Sequence, residues 1–327
     1  MFRPKPLITV ILAFICAVIS QAAPAYQVQP GVFGNLTTIG SDSLNQLMQS
    51  WAEEFTRLYP GVGVQIQGVG SGSAAPALIR GTTQLAPMSR PMHRSELQSF
   101  QQRHGYLPIA LLVANDALAV YVHRDNPIEA ISLPQLAAIY SDSQHCGQQQ
   151  AVRTWGQLGL RDSWAERIII PYGRNSVSGT YGFFSRQALC GGDVAARVNE
   201  QPSSAAVVQA VGQQLSAIGY AGLGYQTAWV RPVPILMPNK AELYGGQAQL
   251  GEHSQPAGHT RYQAFTRPLY IYLQQDPSQR LDTLTWAFLD YILSESGQAL
   301  VSRLGYLPLT NEQRRQSMAL LSLARFQ

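Results

Sequence analysis

The segment GRNSVSGTYG, Gly173 to Gly182, gathers Arg174, Ser176, Ser178, Gly179 and Thr180 in one short stretch. It follows an apolar run, RIIIPY, that reads as a strand, and it opens TYGFFSRQALC, which reads as a helix. A strand that ends in a Ser/Gly/Thr turn and starts a helix presents free backbone N–H groups and the positive end of a helix dipole. Arg174 adds a fixed charge and a planar fork of donors. This chemistry suits a tetrahedral oxyanion. Taken alone, the same residues also describe an ordinary polar helix cap.

Two further segments repeat the design. IGSDSL, Ile39 to Leu44, sets Ser41, Asp42 and Ser43 at the mouth of a helix. GVGSGSAAPAL sets Ser71, Gly72 and Ser73 at another. LAPMSRPM adds Ser89 and a second cation, Arg90, at a strand end. Ligands of open α/β sheets lie beyond the carboxyl ends of strands, near helix N-termini. A multiply charged anion loses its hydration on burial, so every oxygen needs a donor, and several converging turns can supply them.

The elements that must hold these turns follow a β-α-β rhythm. NLTTIG, VGVQIQGVG, TQLAPM and YLPIALLVAN read as strands. Between them lie helical patterns: SLNQLMQSWAEEFTRLYPG with Leu44, Leu47, Met48, Trp51, Phe55 and Leu58 on one face, then SAAPALIRG and HRSELQSFQQRHG. This order predicts a largely parallel sheet covered by helices. DALAVYVHRDNP and RPLYIYLQQDP read as two long crossing strands, and TLTWAFLDYILSESGQALVSRLG as one strong helix. The region from Ala117 to Pro268 then forms an inserted second lobe. The first lobe is discontinuous, 26–116 plus 269–327, and a ligand cleft lies between the two.

The bulk composition narrows the function. The chain has 327 residues, enough for two domains. It opens with a basic start and an apolar run, Leu7 to Ile19, followed by Ser20, Ala22, Ala23 and Ala25. That is the layout of a secretory signal peptide over 1–25, which predicts export to the periplasm or beyond. Removing it takes Arg3 and Lys5 and leaves 21 basic against 19 acidic side chains. So balanced a chain, with no basic cluster, gives no footprint for nucleic acid. Cys146 and Cys190 remain. The oxidising compartment favours a single disulfide over two free thiols. A serine hydrolase finds no Gly-x-Ser-x-Gly elbow at Ser71, Ser73, Ser176 or Ser178. A metal centre finds no standard zinc spacing, since His253 and His259 stand in a loop-like segment and His93, His104, His123 and His145 are scattered. Neither a cofactor nor an enzyme activity is expected.

The stretches GSDSLNQLMQSWAEEFTRLYPGVGVQIQGVGSGSAAPALIRGTTQLAPMSR, GRNSVSGTYGFF and LVSRLGYLPL together resemble the phosphate-binding proteins of ABC-type phosphate uptake. The resemblance implies a two-lobe periplasmic binding protein fold of type II kind, monomeric, that holds inorganic phosphate and delivers it to a membrane ABC permease. It implies a phosphate loop at Arg174, Ser178, Gly179 and Thr180. Ser41 and Asp42 fall at the first phosphate-contacting turn, Ser71 at the second and Ser89 at the third. Where well-studied members have an aspartate that accepts the ligand's proton, this chain has Ser89, followed by Arg90. Asp42, the only acid in the three turns, is then the expected acceptor. Sulfate or molybdate receptors share this helix-terminus design, and a secreted interaction protein on the same fold is the alternative outside transport.

Overall fold

The computed structural model describes residues 26–143, 145–147, 150–236 and 265–326. Residues 1–25, read as a signal peptide, and the segment carrying His253 and His259 lie outside the described residues. Among the described residues no helix is long and apolar enough to cross a membrane.

Strand β1 (Gly34–Ile39) pairs in parallel with β2 (Val62–Gln67) and with β3 (Leu85–Met88). A 3₁₀ turn at Asp42–Leu44 runs into helix α1 (Asn45–Leu58); α2 (Ser71–Arg80) follows β2, and α3 (Arg94–His104) follows β3. The apolar stripe of α1 faces inward as its spacing predicts. Leu44, Leu47, Met48, Trp51 and Phe55 are buried and Leu58 is half-buried. Pro60 ends the helix by excluding Tyr59 from the α conformation, and Tyr59 has φ −129° and ψ 80°.

The segments read as two strands, YLPIALLVAN and DALAVYVHRDNP, form one, β4 (Ile109–His123). The polar pair Asn115 and Asp116 looks like a break, yet both find partners on neighbouring segments while the strand continues. The Asn115 N–H donates to Leu307 O at 2.8 Å, and Asp116 takes a salt bridge from Arg267 on β11 (Phe265–Leu273). β11 runs antiparallel to β4 along its whole length and also pairs with β3.

Beyond β4 the sheet continues through β8 (Ala217–Gly222), β6 (Ile170–Arg174) and β7 (Asn199–Gln201). β9 (Val230–Val233) pairs with β4 as well, and β5 (Ile131–Ser132) with β10 (Ile235–Leu236) forms a small separate ribbon. Helices α4 (Leu133–Tyr140), α5 (Gly179–Ala188) and α6 (Ser204–Gln213) belong to this half. The chain closes with α7 (Thr283–Leu293), α8 (Glu295–Arg303) and α9 (Asn311–Phe326). The single helix expected over α7 and α8 is broken at Ser294, which leaves the helical region at ψ 166° and caps α8 by accepting from the Gly297 N–H.

The sheet is thus mixed, parallel on both flanks and antiparallel at the crossing strands. Its apolar packing falls into separate cores. One gathers Leu36, Trp51, Phe55, Leu111, Leu269 and Phe288. Another gathers Leu118, Val120, Tyr140, Trp155, Phe184 and Tyr220. β4 supplies residues to both, so the crossing strands are shared structure between two lobes. The Cys146 and Cys190 sulfurs are bonded, tying the loop after α4 to the end of α5 across 44 residues. Replacing both cysteines by alanine releases a loop of that size in the unfolded chain. Unfolding free energy falls by about 2–4 kcal/mol, measured by guanidinium titration of the oxidised and double-alanine proteins.

Candidate functional site

Three strand ends meet at the cleft because their backbones interlock. The Ser41 N–H donates to Pro87 O at 2.7 Å and the Gly70 N–H to Gly40 O at 2.8 Å. Gly40 must be glycine, since a Cβ there would lie 2.1 Å from Pro87 O. Gly70 has φ 123°, a conformation other residues rarely adopt. This knot fixes Ser41, Ser71 and Ser89 side by side. Ser41 Oγ donates to Ser89 Oγ at 3.0 Å, Ser71 Oγ and Ser89 Oγ stand 3.2 Å apart, and the Ser89 N–H donates to Ser71 Oγ at 3.1 Å. All three are buried.

The start of α5 faces these hydroxyls from the other lobe. Ser178 caps the helix by accepting from the Thr180 N–H at 3.1 Å. Gly179 lies against the serines so closely that a Cβ would come within 2.5 Å of Ser89 Oγ and 2.6 Å of Ser71 Oγ. Thr180 Oγ1 is 2.8 Å from Ser43 Oγ. The Gly72 N–H at the start of α2 donates to Val177 O at 3.0 Å. Hydroxyls and helix N-termini from both lobes therefore share one buried space, of the kind that solvates an oxyanion.

Arg174 ends β6 and is 1 % exposed. Its backbone N–H donates to the Tyr220 hydroxyl at 3.1 Å, and Tyr220 is held by a parallel stack with Phe184, 3.8 Å between centroids. Its guanidinium reaches across the cleft. Nη1 donates to Asp42 Oδ2 at 2.6 Å and to Ser204 Oγ at 3.0 Å; Nε and Nη2 donate to Gln201 O and Pro202 O. Asp42 Oδ2 also accepts from the Ser204 N–H at 2.9 Å, at the start of α6. This ion pair is an interlobe clamp. The Tyr225 hydroxyl donates to Asp42 O and the Tyr306 hydroxyl to Ser43 O. Burial, then nearby charged and phenolic groups including Asp42 and Asp116, hold both phenols above their ordinary range, so they stay donors.

Arg90 forms a bidentate pair with Glu96, at 2.7 Å for both contacts, and its Nη1 also donates to Pro91 O. Burial raises the Glu96 pKa, but the bonds from Arg90 and the His93 N–H outweigh it, and the carboxyl titrates below its usual range. Arg90 thus stands beside Ser89 with its fork turned to α3.

Ser41, Ser71, Ser89, Ser178, Gly179 and Thr180 converge. Asp42 and Arg174 join the two lobes behind them. Ser43, at the mouth of the first helix, joins them through Thr180, and Ser204, Asp116 and Arg267 are cleft residues to which the motifs do not point. Asp116 and Arg267 carry a signal of their own, since each is a lone charge inside an otherwise apolar strand pattern. Beside Asp42 a groove of about 890 Å³ opens between α1 and α6, lined by Gln46, Gln49, Gln209, Tyr225 and Trp229 among others. Among the described residues no group of three His, Cys, Asp or Glu stands together as a metal site.

Residues 24–296 match the family described as the PBP superfamily domain. The phosphate-binding protein PstS of Pseudomonas aeruginosa is 50 % identical over 293 residues, covering 90 % of this chain and 88 % of that protein. A crystal structure of an ABC-type phosphate transport receptor from Vibrio cholerae has a TM-score of 0.57 and 26 % identity, covering 84 % of this chain and all of that one (100 %). A substrate-binding protein of a putative phosphate ABC transporter from Clostridium perfringens, solved with bound phosphate, has a TM-score of 0.65 at 22 % identity, covering 85 % of this chain and 100 % of that one.

Gly179→Ala drives a methyl group into Ser71 and Ser89, and α5 must retreat from them. The cleft widens, seen as a larger radius of gyration by small-angle scattering. The fold persists, with stability lowered by about 1–3 kcal/mol, as for other overpacked sites.

Proposed function

The chain belongs to the PBP superfamily, and on that premise we propose that it is a periplasmic receptor that captures inorganic phosphate between its two lobes and delivers it to an ABC permease. The convergence of Ser41, Ser71 and Ser89 with the N-terminus of α5 carries this reading. The 50 % identity to a phosphate-binding PstS supports it. Residues 1–25 act as the export signal, and the mature protein works as a monomer. Lobe 1 comprises 26–116 and 269–327; lobe 2 comprises 117–268.

The ligand sits where the serine hydroxyls now bond one another. Ser41, Ser71 and Ser89 rotate to donate to it from lobe 1, and the backbone and side chains of Ser178, Gly179 and Thr180 donate from lobe 2. Arg174 brings its charge to the seat while bonded to Asp42, and Arg90 adds a second, more remote cation. Only the closed form makes both sets of bonds, so phosphate stabilises closure. Bond making stops at hydrogen bonds, with no covalent step. Asp42 Oδ2 is engaged by Arg174 and Ser204; its other oxygen, Oδ1, accepts the proton that hydrogen phosphate carries. Sulfate has no such proton at neutral pH, so its oxygen would face that acceptor unpaired.

Calorimetry on mature protein stripped of carried-over ligand tests this. Phosphate binds tightly and excess sulfate does not displace it. Equal binding of sulfate or molybdate would make the cleft a general oxyanion site, and no binding of any of them would shift attention to surface partners. Asp42→Asn separates the roles of Asp42. Loss of the clamp weakens both anions alike. Loss of the acceptor lowers the phosphate-to-sulfate affinity ratio, by about 100-fold or more. An unchanged ratio removes Asp42 from selectivity.

A further inference from the structure

We infer that Arg267, on the crossing strand β11, is a second arginine that binds the anion directly, held in position by Asp116; this rests on the phosphate-receptor reading above. The two residues stand opposite each other in the antiparallel register of β11 and β4, and they are 2 % and 1 % exposed. Arg267 Nε and Nη2 both donate to Asp116 Oδ2, at 3.0 and 2.7 Å. Nη2 also donates to Ser43 Oγ at 2.9 Å and to Thr180 Oγ1 at 2.8 Å. Ser43 belongs to the first turn of lobe 1, and Thr180 to the first turn of α5. The end of the guanidinium fork is therefore turned to the place where the two lobes' donors meet.

Nη1 shares that end of the planar fork. It is buried and has no hydrogen-bond partner among the described residues. A buried guanidinium nitrogen without an acceptor is costly, and an oxyanion seated beside Thr180 removes the cost. Arg174 differs in this respect, since Nε, Nη1 and Nη2 all donate to protein acceptors. Arg90 gives both terminal nitrogens to Glu96. Arg267 is the arginine of these three with a buried donor nitrogen left over. Asp116 acts as its positioning residue. The second oxygen of Asp116, Oδ1, faces Gly222, where a Cβ would lie 2.6 Å from it. Only glycine lets that carboxylate sit so deep. The surroundings are electropositive as well. Burial and then the charges of Arg90 and Arg267 lower the pKa of Arg186, which extends along α5.

Calorimetric titration of inorganic phosphate into ligand-stripped mature protein tests the assignment, using wild type, Arg267→Lys and the double variant Arg267→Gln/Asp116→Asn. Lysine keeps a cation beside Asp116 but has no fork, and the double variant removes both charges together, so neither leaves a lone buried charge. Near-ultraviolet circular dichroism verifies that each is folded. The expected result is phosphate binding about tenfold or more weaker in both variants, the scale of one charge-assisted hydrogen bond. If the double variant fails to fold, Arg267→Lys alone decides. Wild-type binding matched within about twofold by Arg267→Lys would overturn the role of Arg267 and leave the receptor reading standing. A wild type that takes up no phosphate would overturn both.

Discussion

A guanidinium taken fully out of water requires a counter-charge and an acceptor for each donor nitrogen, and the cleft is arranged around that requirement. Arg174 satisfies it with a carboxylate from the turn before α1, two carbonyls at the end of β7 and a serine at the start of α6. Those partners belong to opposite lobes, so meeting the needs of one side chain draws the lobes together. Arg90 and Arg267 are likewise paired with Glu96 and Asp116, but Arg267 keeps one buried nitrogen, Nη1, without an acceptor among the described residues. Each cleft arginine carries its own carboxylate. Those three pairs are neutral overall, so much of the site's pull on an anion comes from oriented dipoles: hydroxyls, helix N-termini and the free edges of paired guanidiniums. Such a site discriminates by donor and acceptor geometry rather than by charge alone. That suits a task in which phosphate must be told from an anion of similar size and charge.

The precision of those dipoles depends on close approach. Gly40 against Pro87 O, Gly70 against Val177 O and Gly179 against the serines are places where any side chain would push apart groups that must touch. These glycines are spacers of minimal thickness. Together with the strand-end hydrogen bonds they let three segments distant in sequence share one small space.

Much of this was legible in the sequence, and the failures have physical reasons. The three Ser/Gly turns announce themselves because a helix N-terminus needs a side-chain oxygen, and the residues that cap a helix are the residues that meet an anion. The strand–helix rhythm and the face of α1 follow from periodicity. Asp116 and Arg267 carry no motif, because each, seen alone, is a charge that spoils a strand. Only the antiparallel register that sets them opposite each other turns two local misfits into one pair. For the same reason β4 reads in the sequence as two strands that meet at Asn115–Asp116. Arg90 drew notice by its neighbour Ser89, but its partner Glu96 lies in the next helix, and sequence spacing does not show which way a long side chain turns. Helices α7 and α8 read as one stretch in the sequence because Ser294 is a weak punctuator until its hydroxyl caps the second helix.

The position of the Asp116–Arg267 pair also follows from how the cores are divided. On β4, Val113 and Ala114 pack into one core and Leu118 into the other; on β11, Leu269 and Phe265 do the same. The pair lies between, where the crossing strands leave one apolar core and have not yet entered the next. A charge at that point displaces no core packing, and it is where the cleft reaches the sheet. A strand shared by two cores has to pass through such a gap. There the chain has a salt bridge that touches Ser43 on one side and Thr180 on the other. The polar link between lobes is thereby built into the strands that join them. A ligand bonded there acts on both lobes and on the connection between them at once.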